Sequence, residues 1–546
     1  MPVPTSFPGD MQRILNVWPS GSGLLFEVDG RGDLVVDVDV DGRRIWSFRH
    51  AGVQATPEEM PAGARPAGLR FQEWPAVLAP RLRGTFSLRL RPSGADQGAE
   101  ATVSLDGSPD PLELVDRHGR PLVVNKWGRL GHAIADAVPG MVDRMLDHMD
   151  EIRTLLQELL GPVVYVTGGT LLGPVRENGR VLPHDDDADL AYLSSATHPA
   201  DMALESFEVG RVLRDAGFEV VRLSVGHLQI QFWHEGRPDH YVDVFPGFLM
   251  DGLWLQPFAI RTEASREDLL PPSTVLVEGR PEPAPRKPEV MLRALFGDGW
   301  GTPDPSFVFD LPATTGDRFY GWLADYNAER EDWDDVFRLS PPATPDGDEP
   351  VSAFGRWVHE QTPERFRLLE LGSGAGSDAL ALAGMGRSVR AFDYSRYAVE
   401  EARARLGNRP LDVSFEMLNL LDTRQVIRLG AELASTGSSW TVLGRRLLNA
   451  VEDRGRDNVF RLCSMLLRDG GGPDGAAHFD VVGDHQYPGI PHYRHVSVEQ
   501  IVAEAAAHGL ALEEAVPRME PLRWFGAAEE RVVSMYRMSF RRRLPR

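Results

Sequence analysis

The sequence predicts a multidomain protein of mixed α/β and α+β class. Its 546 residues exceed what one hydrophobic core organises, so two or three domains are expected. Near the N-terminus, segments such as "GTFSLRLRP" alternate apolar and polar residues, as half-buried strands do. After a Pro- and Asp-rich linker at 339–350, strand and helix patterns alternate, which is typical of a parallel α/β sheet.

These patterns divide the chain into three predicted domains. Residues 1–125 form a β-rich accessory domain, in which Asp41-Gly42 supplies a hairpin turn. Residues 126–340 mix helices with strands, and residues 351–546 form a Rossmann-like α/β domain.

The composition bears on partners and location. The 80 acidic and 58 basic residues give a net charge of −22, which argues against nucleic acid as a partner. The single cysteine, Cys463, lies in an apolar helical pattern, so we expect a buried structural thiol in a reducing compartment. Neither a signal-peptide pattern nor an apolar run of the ~20 residues needed to span a membrane is evident, so a cytoplasmic protein is expected. The basic end "FRRRLPR" is either a solvated tail or a peripheral membrane contact.

An apparent calcium motif in the first domain is interpreted differently. Asp37, Asp39 and Asp41 match the start of an EF-hand loop, but Phe48 stands where a bidentate glutamate is required. We therefore expect Asp37 and Asp39 to form the exposed face of a strand whose other face is valine.

The second domain contains a glycine pair after a predicted strand. An amphipathic helix ends at Gly161, the strand "VVYVT" follows, and Gly168-Gly169 comes where a helix begins. Backbone N–H groups at such a position bind phosphate without interference from side chains.

The segment "HDDDADLAYL" places four aspartates in five positions. In a chain extended from Pro183, Asp185, Asp187 and Asp189 share one face while Asp186 points away, and such carboxylates suit Mg²⁺ or Mn²⁺. A further aspartate, Asp243, lies in the apolar strand "HYVDVFPGF", where a buried charge requires a partner. The order of these motifs is that of the polymerase-β-like nucleotidyltransferase fold. The alternative is a solvated acidic loop beside an ordinary turn.

Residues 160–305 resemble the LicD/fukutin family of phosphotransferases. The resemblance rests on "GGTLLGPVRENGRVLPHDDDADLAYL", on "VDVFP" and on a downstream segment that ends in "GDGWGTPDP". It implies transfer of a phosphorylated alcohol, such as phosphocholine or ribitol phosphate, from a CDP-linked donor to a glycan. Pro174 and His184 depart from the usual pattern, and His184 is either a surface residue or a catalytic one.

The resemblance also implies roles for individual residues. Asp187, Asp189 and Asp243 would be catalytic metal ligands, with Asp185 in support. The donor phosphates would be approached by Gly168, Gly169, Thr170 and Arg176.

The third domain opens with a glycine-rich turn. "FRLLELGSGAGSDALALAG" carries Gly372, Gly374 and Gly376 between a strand and a helix, but Ser377 replaces the last glycine of a dinucleotide fingerprint. With Glu370 ahead of the turn, residues 351–540 resemble class I S-adenosylmethionine-dependent methyltransferases.

This second resemblance implies a cofactor site for S-adenosylmethionine. Asp393, at the end of the next strand, would accept hydrogen bonds from ribose hydroxyls, and Asn419, or alternatively Asp422, would contact adenine. His492, Tyr493 and Arg494 would either bind the methyl acceptor or form a loop whose polar groups pair internally.

Together these features predict a bifunctional transferase that modifies a surface glycopolymer. Its cofactors would be Mg²⁺ or Mn²⁺ and S-adenosylmethionine, and its partners a CDP-linked alcohol donor and a glycan acceptor. Two alternatives stay open: a nucleotidyltransferase that deposits a nucleoside monophosphate, and a glycan-binding scaffold with two degenerate transferase folds.

Overall fold

The computed structural model describes most of the chain and divides it into two compact units. The described residues are 12–55, 65, 68–105, 109–183, 185, 187–257, 260–309, 311–340, 351–467, 475–483, 493–523 and 530–542. Unit 1 comprises Met1–Gly217 and His240–Leu323, and unit 2 comprises Phe218–Asp239 and Ala324–Arg546. The prediction of a multidomain protein of mixed α/β class is confirmed. The linker proposed at 339–350 lies almost wholly outside the described residues.

Unit 1 begins with antiparallel strands. They are β1 (Ile14–Pro19), β2 (Gly23–Val28), β3 (Leu34–Val40), β4 (Arg43–His50), β5 (Leu69–Glu73), β6 (Gly84–Pro92), β7 (Ala99–Leu105), β8 (Val123–Val124) and β9 (Leu130–Gly131), with 3₁₀ turns at Ala79–Arg81 and Ile134–Asp136. The order β1-β2-β5 forms a three-stranded sheet and the order β4-β3-β6-β7 a four-stranded one.

The expectation that Asp37 and Asp39 are exposed is wrong. Both are buried because β3 lies between β4 and β6, and each carboxylate lies 2.9 Å from the guanidinium of Arg91 on β6. A buried carboxylate on an interior strand needs such a partner, and here arginine supplies it.

The next part of the chain holds a long helix and further strands. Its elements are α1 (Met141–Leu160), β10 (Val164–Val166), α2 (Gly168–Arg176), β11 (Ala188–Leu193), α3 (Pro199–Asp215), β12 (Glu219–Ser224), β13 (His227–His234), β14 (Arg237–Met250), β15 (Leu253–Gln256), β16 (Ile260–Glu263), α4 (Arg266–Leu269), β17 (Ser273–Val277), β18 (Arg280–Ala284), α5 (Pro288–Phe296) and α6 (Ala313–Leu323). In unit 1, β10 is antiparallel to β11, and β11 is parallel to β14. The strand expected from Pro183 begins later, at Ala188, so Asp185 and Asp187 precede it.

Unit 2 is a doubly wound α/β structure. Besides the β12–β13 hairpin it contains α7 (Arg330–Arg338), α8 (Ala353–Gln361), β19 (Arg367–Leu371), α9 (Ser377–Gly384), β20 (Val389–Asp393), α10 (Arg396–Leu406), β21 (Val413–Met417), α11 (Thr423–Ser435), β22 (Trp440–Arg445), α12 (Leu447–Ala450), α13 (Asp453–Leu466), β23 (Ala477–Val482), α14 (Val498–Ala507), β24 (Leu510–Arg523) and β25 (Glu530–Arg542).

The sheet of unit 2 places a crevice beside its first strand. Its order is β21-β20-β19-β22-β23-β25-β24, in which β19 to β23 are parallel and the last two strands antiparallel. The chain reverses its direction of winding between β19 and β22, and ligands of such sheets bind at the carboxyl ends of the strands there.

Two smaller expectations can be compared with the structure. Cys463 is fully buried in the core of unit 2, as expected for a structural thiol, and burial raises the pKa of that thiol. Within the described part of the chain, none of the helices has the length and apolar character needed to cross a membrane.

Candidate functional site

Unit 1 brings three of the predicted carboxylates together. The parallel register of β11 and β14 places Asp189 opposite Asp243, and Asp187 precedes β11 by one residue. All three are buried, and one carboxylate oxygen from each lies within 4.8 Å of the others. Their apolar strand neighbours, such as Leu190 and Val244, are wholly buried and anchor both strands in the core.

The glycine pair allows these carboxylates to approach the start of α2. A Cβ atom at Gly168 would lie 2.1 Å from Asp189 Oδ2, and one at Gly169 would lie 1.7 Å from Asp185 Oδ2. The Gly169 N–H donates to Asp189 Oδ2 at 3.1 Å, and the Asp189 N–H donates to Thr170 Oγ1 at 2.8 Å. Gly168, Gly169 and Thr170 therefore position Asp189, in addition to the phosphate contacts predicted for them.

Lys126 is a member of this site that the sequence analysis missed. Its Nζ lies 2.7 Å from Asp185 Oδ1 and 3.8 Å from Asp187 Oδ1. The chain has only two lysines, Lys126 and Lys287, against many arginines. That rarity was the one available signal, because Lys126 stands far from the aspartates along the chain.

The electrostatics of the cluster disfavour three free negative charges. Burial raises the pKa of Asp189 to about 7; the Lys126 charge lowers it, and the charges of Asp185 and Asp243 raise it further. A buried group of converging carboxylates gains most from a divalent cation, for which carboxylate oxygens are preferred ligands. The residues present therefore fit Mg²⁺ or Mn²⁺. Asp186 and His184 lie outside the described residues.

A cavity of about 1210 Å³ opens beside the carboxylates. Its lining includes Gly169, Asp185 and Lys126, together with Arg176. The Arg176 Nε lies 2.7 Å from Glu177 Oε1, so the guanidinium is held at the cavity wall by an acidic neighbour. Pro174, one of the two departures from the family pattern, is buried within α2.

Unit 2 contains a second cavity, of about 380 Å³, at the carboxyl ends of its strands. Among the predicted cofactor and acceptor residues, six line it: Glu370, Gly372, Gly374, Asp393, Asn419 and Tyr493. Gly376 has another role, since a Cβ there would lie 2.6 Å from the Phe415 ring and 2.9 Å from Ala402 Cβ. It permits close packing behind the turn.

Two carboxyl groups dominate the electrostatics of this cavity. Glu370 is buried and its Oε2 has no hydrogen-bond partner among the described residues. Burial, with the charges of Asp378 and Asp393, raises the pKa of Glu370 well above its ordinary value. Asp393 accepts hydrogen bonds from the Gly374 N–H at 2.8 Å and the Ser395 N–H at 2.9 Å, and burial raises its pKa to about 6.

Asn419 is engaged with the protein backbone. Its Nδ2 donates to the Tyr326 carbonyl at 2.8 Å, and its Oδ1 accepts from the Leu421 N–H at 2.9 Å. Asp422 caps α11 by accepting from the Arg424 and Gln425 N–H groups. Of the two residues considered for adenine, Asn419 borders the cavity and Asp422 does not.

The acceptor residues separate in the structure. Tyr493 lines the cavity, and its ring meets Trp333 of α7 edge-on with centroids 5.6 Å apart. Arg494 forms an ion pair with Glu329, and its Nη1 donates to Glu329 Oε2 at 3.0 Å. His492 lies outside the described residues.

The sequence analysis missed the contribution of α7 to the cavity of unit 2. Trp333 and Phe337, four residues apart on this helix, line the cavity although they precede the proposed linker. Their spacing places both on one helix face, but a short apolar pair of this kind is equally common in a hydrophobic core.

Residues 162–287 match the family described as LicD/FKTN/FKRP, nucleotidyltransferase domain. No curated protein matches the chain.

Several solved structures resemble part of the chain. One is a SAM-dependent methyltransferase from Anabaena variabilis, with 14% identity, 39% of this chain and 95% of that chain covered, and a TM-score of 0.30. Another is the CcbJ methyltransferase from Streptomyces caelestis, with 16% identity, 39% and 96% coverage, and a TM-score of 0.26. A third is the glycopeptide N-methyltransferase MtfA complexed with S-adenosylhomocysteine, with 16% identity, 36% and 89% coverage, and a TM-score of 0.24.

The segment that matches the family contains the carboxylate cluster. Gly168 and Gly169 lie within it, as do Asp187, Asp189 and Asp243. The predicted resemblance of this segment to the LicD/fukutin family is thereby confirmed. The protein is a transferase whose residues 162–287 match the LicD/FKTN/FKRP nucleotidyltransferase domain and whose unit 2 contains a doubly wound α/β sheet.

Proposed function

We propose that unit 1 is a metal-dependent phosphotransferase that moves a phosphorylated alcohol from a CDP-linked donor to a glycan. The observation that carries this proposal is the convergence of Asp187, Asp189 and Asp243 within the segment that matches the family. A structural role alone would favour apolar residues at these buried positions, since burying carboxylates is costly.

The three aspartates would hold Mg²⁺ or Mn²⁺. When bound, such an ion neutralises phosphate charge and orients the reacting oxygens. Lys126 holds Asp185 at the edge of the cluster, and the Gly169 N–H holds Asp189, so the carboxylates are placed before any ligand arrives. Arg176 is the guanidinium at the cavity wall that we assign to the donor phosphates.

The proposed transfer conserves atoms and charge as follows. A glycan hydroxyl oxygen forms a bond to the phosphorus that carries the alcohol, and the bond from that phosphorus to the bridging oxygen of the diphosphate breaks. CMP leaves with the bridging oxygen, and the hydroxyl proton passes to solvent. Nucleotidyl transfer from a nucleoside triphosphate would instead release pyrophosphate, so the leaving group distinguishes the two reactions.

We propose further that unit 2 binds S-adenosylmethionine in its 380 Å³ cavity. When bound, this cofactor supplies an electrophilic methyl group for an acceptor in the same pathway of glycopolymer modification. The residues fit it: Asp393 borders the cavity as a hydrogen-bond acceptor, Glu370 presents a buried oxygen without a partner among the described residues, and Gly372 and Gly374 adopt positive φ angles that shape the turn. A cytoplasmic location is part of the same proposal.

The first prediction concerns metal binding and pH. Because burial raises the pKa of Asp189 from 3.8 to about 7, the folded protein binds more protons than the unfolded chain between these values. The metal-free protein should therefore lose stability as the pH rises through this window. Metal binding requires deprotonated carboxylates, so Mn²⁺ should stabilise the protein more at about pH 8 than at about pH 5.5.

Differential scanning calorimetry with EDTA or Mn²⁺ measures this effect. At roughly a hundredfold excess over its dissociation constant, Mn²⁺ should add about 2.7 kcal/mol to the free energy of unfolding at the higher pH. Asp189→Asn should lose most of this gain. The control Asp147→Asn changes a helix aspartate that pairs with Arg280, and it should keep the gain. An equal Mn²⁺ effect at both pH values, or in Asp189→Asn, would contradict the assignment.

The second prediction concerns phosphotransfer. Asp187→Asn or Asp189→Asn should lower CMP release from a CDP-alcohol by more than about 100-fold. This loss exceeds the one typical of substituting residues that only contact a metal ligand. Methyl transfer by the same proteins should be unchanged, because the substituted residues belong to unit 1. Mass spectrometry of the products with a panel of CDP-alcohols provides the measurement. Unaltered CMP release in both variants, or pyrophosphate as the leaving group, would overturn the proposal.

The third prediction concerns the cofactor. Asp393→Ala should weaken S-adenosylmethionine binding by about tenfold or more, since it removes hydrogen bonds to a charged acceptor. Asp422→Ala is the matched control, because Asp422 caps α11 and does not border the cavity. Isothermal titration calorimetry should show an altered dissociation constant only for Asp393→Ala, and an unchanged constant there would refute the cofactor assignment.

A further inference from the structure

The large cavity of unit 1 extends beyond the residues that match the family. Besides Lys126 and Asp185 near the carboxylate cluster, its lining includes Arg44 and Trp46 of β4 and Trp300 after α5. These last three residues lie outside the matched segment 162–287. The same cavity therefore continues from the carboxylates to the N-terminal strands, whose role the family match leaves unassigned.

Strand β4 carries a bulge at this wall of the cavity. The pairing of β3 with β4 shifts between Val38 and Asp39, so Ile45 is the extra residue between Trp46 and Arg44. Such a bulge bends a strand and re-aims its side chains. Arg44, Ile45 and Trp46, in succession along β4, all border the cavity.

The Trp46 ring packs against two other aromatic rings. Its centroid lies 4.7 Å from that of Phe48 and 6.2 Å from that of Trp74. Trp74 is buried, and its Nε1 donates to the Ser20 carbonyl at 2.9 Å. Trp46 itself is half-buried, so it presents a fixed aromatic surface to the cavity.

Polar groups next to Trp46 are also held in place. Asp37 is buried and accepts from Ser47 Oγ at 2.7 Å, and one of its oxygens lies 2.9 Å from Arg91 Nη1. Arg44 lies 3.8 Å from the same carboxylate and borders the cavity. The wall thus offers hydrogen-bond donors and acceptors in a fixed arrangement.

The charge of the lining indicates an uncharged polar ligand at this wall. Among the described lining residues on the N-terminal strands, Arg44 and Arg91 are basic and Asp37 and Glu73 are acidic. A balanced lining does not favour a polyanion. A pyranose ring has an apolar face that packs on an aromatic ring, and hydroxyl groups that both donate and accept hydrogen bonds.

We propose that Trp46 and Arg44 form a saccharide subsite that binds the glycan acceptor and directs its hydroxyl toward the carboxylate cluster. This inference rests on the proposed phosphotransfer in unit 1. The N-terminal strands then have a direct part in choosing the acceptor, and the donor phosphates occupy the opposite end of the cavity, beside Lys126 and Arg176.

The test uses the full-length protein on a printed array of defined oligosaccharides built from hexoses and N-acetylhexosamines. The variants are Trp46→Ala and Arg44→Gln. Trp322→Ala is the matched control, because Trp322 lies on α6 against Phe248, away from the cavity. Asp189→Asn is included because it should lose phosphotransfer and keep glycan binding. Calorimetric unfolding of each variant reports whether it folds.

The wild type, Trp322→Ala and Asp189→Asn should bind at least one glycan on the array. Trp46→Ala should weaken that binding by roughly tenfold or more. Arg44→Gln should also weaken it in a protein that remains folded, because Arg91 still pairs with Asp37. CMP binding, measured by calorimetry, should be the same in all variants with a substituted subsite residue.

Three results would overturn the subsite. They are absence of glycan binding by the wild type, unaltered glycan binding by folded Trp46→Ala and Arg44→Gln, and weakened CMP binding in these variants, which would place the nucleotide on Trp46. If the proposed phosphotransfer alone is wrong, the result is different. The wild type then binds glycan in a way that depends on Trp46, but no CDP-alcohol releases CMP.

Discussion

The parallel pairing of β11 with β14 places Asp189 beside Asp243 in the interior of unit 1, with Asp187 one residue before β11. Three carboxylates within 4.8 Å repel one another, and burial increases the cost of their charge. Three features of the surrounding structure reduce this cost. Gly168 and Gly169 leave room for the carboxylates, and the Gly169 N–H donates a hydrogen bond to Asp189. Lys126 pairs with Asp185. These contacts compensate only part of the charge, which is why a divalent cation completes the site in our account.

Unit 2 handles buried carboxylates in another way. Backbone N–H groups of Gly374 and Ser395 satisfy Asp393, while Glu370 keeps an oxygen without a hydrogen-bond partner among the described residues. The two sites therefore differ in what they lack. The site of unit 1 lacks positive charge to balance its carboxylates, and the site of unit 2 lacks a hydrogen-bond donor for Glu370. This difference matches the metal proposed for unit 1 and the nucleoside cofactor proposed for unit 2.

Much of the first site was predictable from the sequence, because its residues carry a local signal. Asp243 stands between apolar strand neighbours, and Asp187 and Asp189 adjoin an apolar run, so a buried acidic site follows from the pattern. Lys126 carries no such signal, since its approach to Asp185 depends on how separate segments fold together. For the same reason the exposure of Asp37 and Asp39 was predicted wrongly: alternation along β3 does not reveal the arginine on β6 that allows both faces to be buried. In unit 2 the glycine spacing indicated the turn, but the packing role of Gly376 and the contribution of α7 appear only in three dimensions.

The central claim is that the carboxylates of unit 1 form a metal site. Anomalous diffraction from crystals of the full-length protein grown with Mn²⁺ tests it most directly. The account predicts an anomalous peak within coordination distance, about 2.0–2.6 Å, of oxygens from Asp187, Asp189 and Asp243. A well-ordered carboxylate cluster without an anomalous peak at saturating Mn²⁺ would contradict the claim. Mn²⁺ bound elsewhere in unit 1, and not at these carboxylates, would also contradict it.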